Sequence, residues 1–97
     1  MGTVSSPLWV TGDLIFSTVP RWRRSGREYI AQTAEPLIEF KDISACDSSG
    51  VALLLAWLRD AKESGKVVRF AHPPQQLLDV ARVYGVLDVL NGNKTNG

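Results

Sequence analysis

An unbroken apolar run, Val51–Leu58, lies near the centre of the chain and constrains the fold more than any other feature. Its eight residues are too few to cross a bilayer, which needs about 20. The surrounding pattern predicts one helix over Ser48–Ser64, stopped by Gly65. The middle turns of this helix are apolar on every side, so other parts of the domain, or a partner protein, have to cover them.

Segments typical of strands and of helices alternate around this helix. Leu8–Val10 and Leu14–Phe16 flank a turn signal at Thr11–Asp13, which predicts a hairpin. The other predicted elements are a helix capped by Ser17 or Thr18 with Pro20 in its first turn, a strand over Pro36–Ile43, a loop over Ser44–Asp47, a strand over Lys66–Ala71, a helix over Gln75–Tyr84, and a strand or helical turn over Val86–Leu90.

This order predicts a single α/β domain with a mixed sheet of about four strands and helices mainly on one face. The chain has 97 residues, enough for one domain and too few for two. We expect the domain to span residues 8–90, between a flexible N-terminus, 1–7, and a flexible C-terminal tail, 91–97.

Charge and composition argue against several classes of function. The net charge of +1 gives no overall field for nucleic acid, so no nucleic-acid partner is expected. The single cysteine cannot build a cysteine-rich zinc site, and no metal or other cofactor is predicted. The N-terminus lacks the pattern of a signal peptide, so the protein is expected in the cytoplasm, reaching the inner membrane only through a partner and without inserting into it.

An enzyme is not predicted, because no catalytic set of residues can be assembled. His72 is the only histidine and precedes two prolines. Cys46 precedes Asp47, whose negative charge raises the pKa of a neighbouring thiol and lowers its reactivity. A nucleophile, a base and an orienting acid therefore cannot be grouped around one imidazole.

The segment around the start of the central helix carries the functional information. Asp47 stands where its carboxylate can accept hydrogen bonds from the N–H groups of the first turn. Gly50 is unusual so early in a helix, and we interpret it as a point where another chain approaches closely. The candidate partner-binding residues are Asp47, Ser48, Ser49, Gly50, Ala52, Leu55, Ala56 and Arg59. The alternative is that they are ordinary, partly exposed surface residues.

Two further groups of residues are left open by the sequence. Trp9, Trp22 and Trp57 are interpreted as core or interface anchors, and Trp57 is the candidate interface residue to test, since tryptophan is enriched at binding hot spots. The basic group Arg21–Arg27 is interpreted first as a solvated helix face, and second as a contact with acidic partner residues or lipid headgroups. Gly26 is expected to weaken this helix by roughly 1 kcal/mol relative to alanine.

The stretch Ile38–Leu54, with Asp-Ser-Ser-Gly between a strand and an aliphatic helix, resembles the signature of STAS domains. These domains occur in sulphate transporters and anti-sigma factor antagonists. Within the family, the chain is most similar to the small stand-alone STAS subunit of phospholipid-transport ABC complexes. The basic residues of the first helix depart from both groups.

The resemblance implies a non-enzymatic interaction module with one of two partners. As a transporter subunit, the chain would bind and stabilise an ABC transporter ATPase subunit through Ser48 and the adjoining helix face. As an anti-sigma factor antagonist, it would be phosphorylated at Ser48 by an anti-sigma factor kinase and released from it. The sequence leaves both open, together with the transported substrate and the oligomeric state.

Overall fold

The computed structural model describes residues 6–87 as strictly alternating strands and helices. The elements are β1 (Leu8–Leu14), α1 (Val19–Gln32), β2 (Leu37–Cys46), α2 (Ser48–Glu63), β3 (Arg69–Ala71) and α3 (Gln75–Val83). The sheet has the order β1-β2-β3, and both neighbouring pairs are parallel. The α/β fold class is as predicted, but the described sheet has three parallel strands rather than a mixed sheet of about four.

The predicted hairpin at the start of the chain is wrong. Thr11–Asp13 does not reverse the chain, and β1 runs straight through it. Gly12 adopts a φ of +84°, and the register of β1 against β2 shifts on both sides of it. Glycine reaches this φ without steric cost, so the backbone forms a bulge and continues in the same direction.

Strand β2 is longer than predicted and β3 is shorter. The loop expected over Ser44–Asp47 is largely strand, because Ala45 and Cys46 pair with the residues of β1 beyond the bulge. At the start of the predicted strand Lys66–Ala71, the backbone N–H of Lys66 instead donates to the carbonyl oxygen of Ala61 at 2.8 Å. That bond belongs to the end of α2, so β3 begins later.

The helices match the sequence pattern closely. Helix α2 ends beside Gly65, which has a φ of +71°, and α3 ends beside Gly85, with a φ of +72°. Thr18 occupies the N-cap position of α1 but makes no side-chain cap. Its hydroxyl instead donates to the carbonyl oxygen of Asp13 at 2.7 Å, and so ties the turn before α1 to the end of β1.

The hydrophobic core lies between the sheet and the helices, with α2 at its centre. Leu53, Leu54 and Trp57 of α2 are all less than 2% exposed. Trp57 packs beside Phe70 of the sheet and against Gly26 of α1. Of the two interpretations of Trp57, core and interface, the core is correct and the interface is wrong, because its own domain covers this side chain completely.

The predicted ends lie largely outside the described residues. Residues 1–5 of the N-terminal segment and the whole tail 91–97 are not among them, and neither is most of the predicted element Val86–Leu90. Of that element, Val86 and Leu87 are described and pack partly buried against the core. Within residues 6–87, no helix combines the length and apolarity needed to cross a membrane.

Candidate functional site

Asp47 organises the start of α2 through both of its carboxylate oxygens. Oδ1 accepts from the backbone N–H of Ser49 at 2.8 Å, which is the predicted helix cap. Oδ2 accepts from the backbone N–H of Phe16 at 3.2 Å, a bond that the sequence analysis did not foresee. The same side chain therefore holds the first turn of α2 and the turn that precedes α1.

The lateral face of α2 lies at the surface of the domain. Ser48, Ala52 and Arg59 are exposed, and Leu55 is half-buried. These positions fall within one stripe of the helix, and the half-buried Ser49 and Ala56 lie on one border of it. The domain therefore leaves this stripe of predicted partner-binding residues at least partly accessible.

Gly50 does not belong to this face. It is buried, and a Cβ added to it would lie 3.0 Å from Leu77 Cδ1 and 3.4 Å from the carbonyl oxygen of Leu14. The prediction that Gly50 admits an approaching partner is thus wrong. The absence of a side chain instead lets α3 and β1 pack closely against the first turn of α2.

Phe16 is the main surface residue that the sequence analysis missed. It was predicted as the last residue of a strand, yet it lies in the turn between β1 and α1 and is 81% exposed. The turn is ordered by its neighbours, since Ile15 N–H donates to Thr18 Oγ1 at 3.0 Å and Thr18 N–H donates to the Ile15 carbonyl at 2.9 Å. The pair Ser17-Thr18 after it was the available signal, since serine and threonine hydroxyls bond to the nearby backbone in turns.

The basic group of α1 is divided between two environments. Arg23 forms an ion pair with Asp60 of α2 and is therefore not part of a solvated face. Arg21, Arg24 and Arg27 are exposed, as the first interpretation expected, and the Arg21 guanidinium lies 5.4 Å from the centre of the Trp22 ring.

Cys46, which directly precedes Asp47, is a titratable group near the site whose pKa departs from its usual value. Burial raises the pKa of the Cys46 thiol, and the neighbouring charge of Asp47 raises it further. Burial is the larger of the two causes. His72 lies elsewhere, with its Nδ1 2.5 Å from Glu39 Oε2. Across residues 6–87, no group of three or more acidic, histidine or cysteine side chains is placed to hold a metal ion.

The parallel sheet, its helices and the Asp-Ser-Ser-Gly start of α2 define a STAS-type module. The chain belongs to this family: the family described as "Mlab, STAS domain" matches residues 3–91. The intermembrane phospholipid transport system binding protein MlaB of Haemophilus influenzae is 35% identical over 85 residues, which cover 84% of this chain and 81% of that protein.

A solved structure supports the fold assignment. The anti-sigma factor antagonist SpoIIAA, in its unphosphorylated form, superimposes with a TM-score of 0.57. The match covers 87% of this chain and 79% of that chain, at 22% sequence identity. At this identity the likeness concerns the fold, which the two proteins share.

Proposed function

We propose that the chain is the cytoplasmic STAS subunit that binds and stabilises the ATPase of a Mla-type phospholipid-transport ABC complex, which maintains outer-membrane lipid asymmetry. The observation that carries this proposal is the accessible lateral face of α2, which begins at Ser48 and continues through Ala52, Leu55 and Arg59. Its assignment to lipid transport is supported by the relative named as a phospholipid transport system binding protein.

The lateral face has the properties of a close protein contact. Ser48 and Ala52 have short side chains, so the backbone of a partner helix can approach α2 without displacing them. Leu55 adds a half-buried apolar surface, and Arg59 provides a charged rim. No chemical step is needed on this chain, because binding alone orders the partner and raises its apparent stability.

Replacing Ser48 with arginine tests the proposal. A long charged side chain at the start of the contact face should abolish co-purification of the ATPase subunit while leaving the module folded, since Ser48 is exposed. Ser64→Arg is the matched control, because Ser64 is exposed at the other end of the same helix. Undiminished co-purification of the Ser48→Arg protein would contradict the proposal.

A second candidate function is favoured by the exposure of Ser48 at the N-terminus of a 16-residue helix. In an anti-sigma factor antagonist role, an anti-sigma factor kinase would phosphorylate this serine. The added phosphate would lie beside the Asp47 carboxylate and on the contact face, where its charge would release the partner. Intact-mass analysis after incubation with the kinase should then show one added phosphate, absent from the Ser48→Ala protein; no added mass would exclude this role.

A further inference from the structure

We propose that Phe16 is the apolar anchor of the partner interface and that it occupies an apolar pocket of the partner protein rimmed by carboxylates. This inference rests on the proposed function, because it extends the same contact surface beyond α2. It is carried by the exposure of Phe16, its attachment to Asp47 and the charge of the adjoining helix α1.

Phe16 is exposed to an unusual degree and yet held in an ordered turn. The side chain is 81% exposed, although burial of a phenyl ring is favourable. Three hydrogen bonds hold the backbone around it. The Phe16 N–H donates to the Asp47 carboxylate, and the Ile15 N–H donates to Thr18 Oγ1. The Val19 N–H donates to the Ile15 carbonyl at 3.0 Å. An aromatic side chain presented from an ordered backbone loses little further entropy on binding, which is the property of an interface anchor.

Asp47 joins this aromatic residue to the lateral face of α2. Its Oδ1 and Oδ2 accept from Ser49 and Phe16 respectively, so the first turn of α2 and the Phe16 turn share one carboxylate. Ser48 lies between Asp47 and Ser49 in the chain and is exposed. A partner that packs on Ser48 therefore lies within reach of the phenyl ring.

The charge beside Phe16 indicates the chemistry of the partner. Arg21 is in the first turn of α1, shortly after the Phe16 turn, and Arg24 follows one turn later. The first turn holds no acidic residue, although a helix N-terminus favours negative and disfavours positive charge. Within residues 6–87, neither arginine is in an ion pair. Arg21 therefore lies where its charge does not favour its own helix, and both cations complement carboxylates on a partner.

An anionic membrane surface would also attract arginine and phenylalanine. The lateral face of α2, however, continues this surface with Ser48 and Ala52, whose short side chains offer little apolar area to a lipid phase. A protein surface can pack closely against short side chains, so a protein partner fits this face better than a lipid membrane does. Binding to lipid vesicles is retained as an outcome of the test.

The experiment measures affinity for the immobilised ATPase subunit of the host's phospholipid transport system. Phe16→Ala is expected to weaken binding by at least about tenfold with an unchanged thermal midpoint. Arg21→Glu should also weaken it, and added salt should affect this variant less than the natural protein. Val83→Ala is the matched control, since Val83 is equally exposed but lies in α3, and it should bind normally.

The outcomes separate this inference from the proposed function. If Ser48→Arg abolishes binding while Phe16→Ala binds normally, Phe16 is not an anchor and the proposed function stands. If neither variant loses affinity, both are wrong. If Phe16→Ala instead loses binding to phosphatidylethanolamine–phosphatidylglycerol vesicles and keeps its affinity for the ATPase, the surface contacts membrane and the inference is overturned.

Discussion

Asp47 contacts two segments that are distant in sequence, and this makes it the organising residue of the site. The cap on Ser49 is a local interaction, two residues along the chain, and the sequence predicted it. The bond to Phe16 spans 31 residues and depends on how β1 lies beside β2. A local pattern gives no information about such a contact, because the acceptor for the Phe16 N–H is supplied by a distant segment that the fold brings near it.

Replacing Asp47 with alanine should lower the free energy of unfolding by about 1 kcal/mol or slightly more, since a capping bond and a second backbone bond are lost. Urea denaturation of the natural and substituted proteins measures the difference. Glu63→Ala removes an exposed carboxylate at the other end of α2 and should change the stability by less than about 0.5 kcal/mol. Equal effects of the two substitutions would show that Asp47 is only a surface charge.

At the scale of elements, the contact between α1 and α2 depends on Gly26. The sequence analysis treated this glycine as a weak point of α1, but a Cβ there would overlap the indole of Trp57. The Arg23–Asp60 ion pair joins the same two helices. The tertiary contact thus outweighs helix propensity at this position, which a single-helix pattern cannot reveal.

Gly26→Ala should destabilise the protein by about 1–2 kcal/mol, because the cost of overpacking exceeds the gain in helix propensity. Thermal unfolding measures this loss. Trp57→Phe replaces the indole with a smaller ring, which leaves more room for the new Cβ, and it breaks no hydrogen bond, since the Trp57 Nε1 has no acceptor within residues 6–87. The two substitutions together should therefore cost less than the sum of their separate effects.

A simple additive result in that double-mutant cycle would mean that the new methyl group does not meet the indole. A rise in stability for Gly26→Ala alone would be a stronger contradiction. In that case helix propensity would dominate at this position, as the sequence by itself suggested.

At the scale of the whole molecule, the helices and the sheet divide the surface into two unlike sides. The helices cover the sheet face that carries Val10, Ile38 and Phe40, all buried. Trp9, half-exposed, lies on the opposite face, with the Lys41 ammonium 5.8 Å from its ring centre. The candidate partner surface lies on the helical side, on α2 and at the Phe16 turn before α1. The open face of the sheet, which carries Trp9, is not part of it.

The sequence by itself determined the α/β class, the extent of α2 and α3, the capping role of Asp47 and the resemblance to STAS domains. The first three of these features follow from local periodicity, capping and end signals, which act over a few residues. The resemblance rests on the stretch Ile38–Leu54. It also marked out the face that begins at Ser48, whose role as a partner site stays a prediction.

Only the tertiary structure decided which apolar residues remain at the surface. In the folded chain Trp57 and Gly50 are buried and Phe16 is exposed. The segment expected to form a hairpin is one strand with a bulge at Gly12. Each of these outcomes depends on contacts between segments far apart in the chain. Composition and spacing state how apolar a segment is, but not which neighbour covers it.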